Sequence, residues 1–212
     1  MDRMVHKSKS KKPKLKSQRQ RILDAATQLL AAKGAEGLRV RDVATAADCS
    51  TMGVYSHFGG KHGLVEAIFI DGFERIEATL RDVEAAQVAA PAAQPATLSL
   101  ERSGLAYRDW AFDNPGAYAV MFAGAVPGFE PSDDALAVAL HAFLVLTECV
   151  EEAQQSGEIA ETDTYLVAHT LWALLHGLVM IEFAHMVPNG ELGARADGFF
   201  VASMHACIRG FG

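Results

Sequence analysis

Cysteine is scarce in this chain, and the three present, Cys49, Cys149 and Cys207, are odd in number, far apart and set in helical contexts. That excludes a disulfide framework and suits small buried residues of a cytoplasmic protein. Metal-ligand spacings are missing too. No Cys-x-x-Cys or His-Glu-x-x-His occurs, and Glu182 with His185 gives one Glu-x-x-His unit where a helical di-iron site needs two units and two further glutamates. No metal or cofactor is therefore expected, and a helical metal-dependent enzyme stays a remote alternative. No stretch alternates polar and apolar residues long enough to make a strand, so the fold is expected to be all-α. No apolar run is expected to span a membrane. The basic N-terminus has no hydrophobic stretch behind it, so secretion is not expected either.

The chain has 212 residues, half of them hydrophobic, enough for one or two packed domains. Its net charge of −7 hides an asymmetry: residues 1–62 carry +8 and the rest −15. One end suits a polyanion, which the other would repel. Residues 1–16 form a basic tail of lysines alternating with Ser and Pro13, offer nothing to bury, and are expected to be disordered. Such a tail either solubilises the chain or follows a DNA backbone; the sequence leaves both open.

Residues 38–64 carry the most information. Leu38 to Ala47 places Leu38, Val40, Val43, Ala44 and Ala47 on one helical face, with Arg39, Arg41, Asp42 and Thr45 facing away. A reversal comes next at Asp48-Cys49-Ser50, where Asp tolerates the left-handed conformation and Ser50 can cap the next helix. Thr51 to Phe58 is then a second short helix. Val54 and Phe58 can pack inward, while Tyr55 is balanced between core and surface. Thr51, Met52, Gly53 and Ser56 form a convex outer face that fits a major groove about 12 Å wide. This is the pattern of a DNA-reading helix-turn-helix. The four outer residues are expected at base edges. Arg39, Arg41, Tyr55, His57 and Lys61 ring them as phosphate donors, beside the cap Ser50.

Val40-Arg41-Asp42-Val43-Ala44, Cys49-Ser50, Val54-Tyr55-Ser56-His57-Phe58, Gly59-Gly60-Lys61 and Leu64 together resemble the N-terminal domain of TetR-family (tetracycline-repressor-like) transcriptional regulators. The resemblance covers about Gln18 to Phe69. Asp48 stands where the family usually has Gly, and Arg39 where Thr or Ser usually caps the first of the two helices. The resemblance implies a three-helix DNA-binding domain over residues 17–62 and a larger helical effector-binding and dimerisation domain over 63–212. The partners it implies are double-stranded DNA, a small-molecule effector and a second copy of the chain.

Further helices are expected over Ser17–Lys33, Lys61–Gln87, Leu98–Asp113, Gly116–Ala123, Ser132–Ser156, Asp163–His185 and Gly190–Ile208. Between them lie an Ala/Pro-rich break at 89–97 and turns at Asn114-Pro115-Gly116, Pro127-Gly128 and Pro188-Asn189-Gly190. Tyr107 to Tyr118, Met121-Phe122 and Trp172 to Gly177 are similar to one class of effector domain in the family, named for a Trp-His-Gly signature. Tyr107, Trp110, Tyr118, Met121, Phe122, Phe143, Trp172 and His176 supply a mostly apolar, partly polar lining for an apolar or aromatic effector. Plain core packing is the competing reading for each of them. Ala123 is expected at the cavity, where a large side chain would fill it. The segment Tyr165 to Val187 is apolar nearly all round, so it needs cover on two sides. The last two helices are expected to form a two-fold, four-helix dimer seam, with Leu174 and Leu178 on it.

Overall fold

The computed structural model describes residues 16–89, 94–184 and 196–212, and every described element is helical. These are α1 (Gln18–Lys33), a 3-10 turn (Gly34–Gly37), α2 (Val40–Ala46), α3 (Thr51–Phe58), α4 (Lys61–Val88), α5 (Ala96–Asp113), α6 (Pro115–Phe122), α7 (Asp133–Gln155), α8 (Thr164–Phe183) and α9 (Ala196–Arg209). The basic tail up to residue 15, residues 90–93 of the Ala/Pro-rich break, and the Pro188-Asn189-Gly190 turn with His185 lie outside the described residues.

Local chemistry sets most boundaries. Ser17, Ser50, Ser132 and Asp163 each accept a backbone N–H in the first turn of α1, α3, α7 and α8. Gly34 and Gly59 end α1 and α3 at positive φ. Asp48 turns the chain between α2 and α3 at φ 50, the one non-glycine residue described in that region. The 3-10 turn was not expected. Leu38 belongs to the link after it, not to α2, which begins at Val40 behind an extended Arg39 without a side-chain cap. Gly37 explains the detour: a Cβ there would stand 2.6 Å from the Leu29 carbonyl oxygen, so only glycine lets the link lie on α1.

One apolar core runs from the N-terminal helices into the body, from Ile22 and Val54 through Ile68 and Phe73 to Tyr118 and Phe200. A smaller cluster around Val150, Ile159 and Leu171 closes the far end. Glu66 accepts the Ser132 N–H near one end of α4, and Arg81 pairs with Glu148 near the other. α4 and α7 therefore run side by side in the same direction. Arg108 on α5 binds Glu182 on α8 through Nε at 2.9 Å and Nη2 at 2.8 Å, both groups largely buried. Glu182 is thus committed to a guanidinium, and no cluster of three metal-ligating side chains exists among the described residues.

α8 corrects one expectation. It has twenty residues, and an eighteen-residue stretch of it has a mean hydropathy of 1.6, long and apolar enough to cross a membrane. Val167, Ala168, Leu171, Leu175, Leu178 and Val179 turn into the core, while Leu166, Ala173 and Ile181 are exposed. Phe199, Ala202 and Ala206 make a comparable exposed row on α9. The two residues named from sequence for a seam are not on that exposed row. Leu178 is buried and Leu174 packs half-buried against the core, because both lie on the inward arc of α8.

Candidate functional site

α3 is anchored by Val54 and Phe58, which are buried, and Arg19 on α1 lies over the Phe58 ring at 5.3 Å. The opposite face is open. Thr51, Met52, Tyr55, Ser56 and His57 are exposed, with Met52 at 72% and Tyr55 at 52%. Arg39, Arg41 and Lys61 are exposed around them. Tyr55 was balanced between core and surface, and the structure puts it on the surface, its ring against Gly60, where a Cβ would stand 3.4 Å from Cε1. Gly53 was placed on the outer face and is half-buried instead: its Cβ would come 3.2 Å from Gln18 Nε2 and 3.8 Å from Cys49 Sγ. Ser50 Oγ accepts the Gly53 N–H at 3.1 Å, leaving its own hydrogen to donate.

Sequence reasoning missed Gln18. It is exposed, and its Oε1 lies 3.3 Å from His57 Nε2, so the first turn of α1 borders the α3 face. Ser17 capping α1 was the available signal, because a capped helix start aims free N–H groups and partial positive charge outward. Nothing in α3's own periodicity could show that α1 arrives there.

A cavity of about 530 Å³ lies in the body, walled chiefly by α4, α5, α6 and α7 with the α6–α7 link, and closed in part by α8. Of the eight residues proposed to line it, Tyr107, Met121, Phe122, Phe143 and Trp172 do. Trp110, Tyr118 and His176 do not appear in the lining: Trp110 is 6% exposed with an unpartnered Nε1, and Tyr118 is 1% exposed. Phe69, Phe73, Ile76 and Leu80, spaced along one face of α4, supply a wall that sequence reasoning did not name. Ala123 is exposed and outside the lining, whereas Gly124 and Val126 of the following link are in it.

Tyr118 and His176 stand behind the wall in a polar relay. The Tyr107 and Tyr118 hydroxyls are 3.0 Å apart, and Tyr118 Oη is 2.7 Å from His176 Nδ1. Burial pushes the Tyr118 hydroxyl up to about 12 and the Tyr107 hydroxyl higher still, aided by Tyr118, while burial lowers His176. The relay is neutral at physiological pH. Cys149 also lines the cavity, and burial raises its thiol to about 11, so it is an unreactive thiol rather than a nucleophile.

Two links join the cavity to the α3 end. α6 carries Met121 and Phe122 into the lining, and its Gly116 lies so close to α1 that a Cβ would sit 2.2 Å from the Thr27 carbonyl oxygen. The α6–α7 link places Phe129 in the lining, with its ring centroid 5.6 Å from that of His62 and 6.0 Å from that of Phe69. His62 is the neighbour of Lys61.

Comparison with known proteins agrees with this layout. Residues 22–68 match the family described as bacterial regulatory proteins, tetR family, and residues 100–206, half of the chain, match the tetracyclin repressor-like C-terminal domain. No curated protein matches. A protein of unknown function from Rhodococcus sp. RHA1 superposes with a TM-score of 0.77 at 23% identity, covering 95% of this chain and 99% of that one. The TetR family regulator PfmR from Thermus thermophilus gives 0.67 at 22% identity, covering 91% and 99%. FadR from Bacillus subtilis, solved in complex with stearoyl-CoA, gives 0.69 at 15% identity, covering 91% and 99%. Two family matches in the expected order, on a helix-turn-helix joined to a hollow helical body, establish that the chain belongs to the TetR family of DNA-binding transcriptional regulators.

Proposed function

We propose that this regulator is a cytoplasmic repressor that binds a palindromic operator as a homodimer and is released from it by a small apolar or aromatic effector. The observation that carries the reading is a cavity of about 530 Å³ in the same molecule as a convex, exposed α3 face, joined to it by α4, α6 and the Phe129 link. A filled body would have suited a constitutive DNA-binding protein. The hollow favours a sensor, and FadR, solved with stearoyl-CoA, shows a ligand held by a protein of similar fold. We assign the chain no catalytic step.

In this reading Thr51, Met52 and Ser56 meet base edges, with Gly53 supplying clearance, and Arg39, Arg41, Tyr55, His57 and Lys61 meet phosphates beside Ser50. The dimer seam is the exposed apolar row of α8 and α9. The effector acts by differential affinity: it fits one spacing of the two α3 helices better than the other. Selection of bound duplexes from a random pool tests the DNA half. Enrichment of an inverted repeat with half-sites about one helical turn, or a multiple of it, apart is the expected result, and binding without sequence enrichment would overturn it.

A further inference from the structure

We infer that the cavity takes an elongated, electrically neutral, mainly apolar molecule carrying a hydroxyl at one end, with that hydroxyl seated on Tyr107 and Ser103 of α5. The inference rests on the sensing role proposed above and names the ligand class for the same site. Its shape comes first. Phe69 and Leu80 on α4 line the cavity eleven residues apart, a rise of about 16 Å, and Leu136 and Cys149 span a similar length on the parallel α7. The hollow is a slot along two helices and suits a long ligand.

Charge is excluded next. Among the described residues the lining holds no Lys, Arg, Asp or Glu, and its one imidazole, His169, is exposed. An anionic head seated at the buried Ser103 and Tyr107 would be desolvated without a cation to pair it.

The polar points are few and lie together. Tyr107 and Ser103 are one helical turn apart on the lining face of α5. The Ser103 hydroxyl is buried, and its one polar neighbour is the Cys149 thiol, a weak partner that it shares with Ser99. A buried hydroxyl met only by a thiol can take a stronger polar partner from a ligand. The Tyr107 hydroxyl is the cavity end of the relay. With His176 Nδ1 accepting, Tyr118 donates to it and Tyr107 donates to Tyr118, leaving the Tyr107 oxygen to accept, with one lone pair turned to the Trp172 indole and one left for a ligand. With the other tautomer the direction reverses, and Tyr107 donates into the slot. A ligand hydroxyl both donates and accepts, so it satisfies either direction; a carbonyl or ether satisfies one.

The test titrates the full-length protein at pH 8 with 1-decanol, decanoate and n-decane, followed by tryptophan fluorescence, since Trp172 lines the slot. Decanol is expected to bind at least tenfold more tightly than decanoate. Tyr107→Phe, which keeps the ring, should weaken decanol roughly five- to tenfold and leave decane within twofold. Ser103→Ala should weaken decanol by about two- to fivefold, again sparing decane, and serves if the Tyr107 variant folds poorly. Decanoate binding as tightly as decanol, equal losses for decanol and decane in both variants, or no binding of any probe would each overturn the inference. The expected ranking with operator affinity unchanged would uphold the ligand class and remove only the sensing role.

Discussion

Lys61 opens α4 immediately after the glycine pair and is exposed beside the α3 face. In the proposed reading this charge meets backbone phosphate, which carries no sequence information. Lys61→Ala should therefore weaken every duplex alike and reduce the slope of log affinity against log salt by about one unit, measured by titration at several salt concentrations. Altered base preference with an unchanged slope would contradict the assignment. At this scale the residue types spoke clearly where the chemistry is local. Ser50 as cap and Asp48 as the left-handed turn were both readable, because each acts on its own neighbours. Gly53, Trp110, Tyr118 and His176 were misplaced because burial depends on what arrives from elsewhere. Helical spacing gives the face of a residue, and only tertiary packing tells whether α1 or a second layer of aromatics stands against it.

Among the elements, α5 shows a boundary that its own sequence cannot give. Its N-cap is Pro95, which offers no side-chain acceptor, and the first turn is served instead by Glu158 from the α7–α8 link. Its carboxylate accepts Ala96 N–H at 2.8 Å, Thr97 N–H at 3.0 Å and the Thr97 hydroxyl at 2.7 Å. Burial alone would raise this carboxyl, but those bonds and the Ser156 hydroxyl hold it at about 2, against an ordinary 4.5. A depressed folded-state value means the stabilisation is complete above pH 4.5 and fades as pH falls toward 2, since the unfolded chain takes up the proton first. Glu158→Ala should cost about 1–2 kcal/mol at neutral pH and narrow its gap to wild type in denaturant melts near pH 3. A constant gap across that range would rule out the cap. Gly116 is the corresponding test for α6. Gly116→Ala brings a Cβ against the α1 backbone, so it should lower Tm by several degrees and shift operator affinity without touching the α3 surface. Unchanged Tm and affinity would mean that the α1–α6 contact is loose.

For the molecule as a whole, charge asymmetry and the order of helices were enough to anticipate a DNA-reading end and a helical body, and the family matches agree. The hollow was not legible, since the aromatics and aliphatics that fill a core are the same ones that line an empty slot. Nor could composition say which arc of α8 faces outward, so Leu174 and Leu178 were chosen where Leu166, Ile181 and, on α9, Phe199 stand exposed. In the proposed homodimer Leu166→Glu or Phe199→Glu should give monomers in sedimentation and reduce operator binding at least tenfold, because a charge would be desolvated in the seam. A variant that stayed dimeric would move the seam elsewhere. The central claim is that occupancy of the slot and operator binding by α3 are coupled through α4, α6 and the Phe129 link. Operator affinity measured with and without a saturating slot ligand tests it directly. The expected result is a weakening of roughly 5- to 150-fold, matched by an equal loss of ligand affinity when operator is present. A ligand that fills the slot and leaves operator affinity unchanged would contradict it.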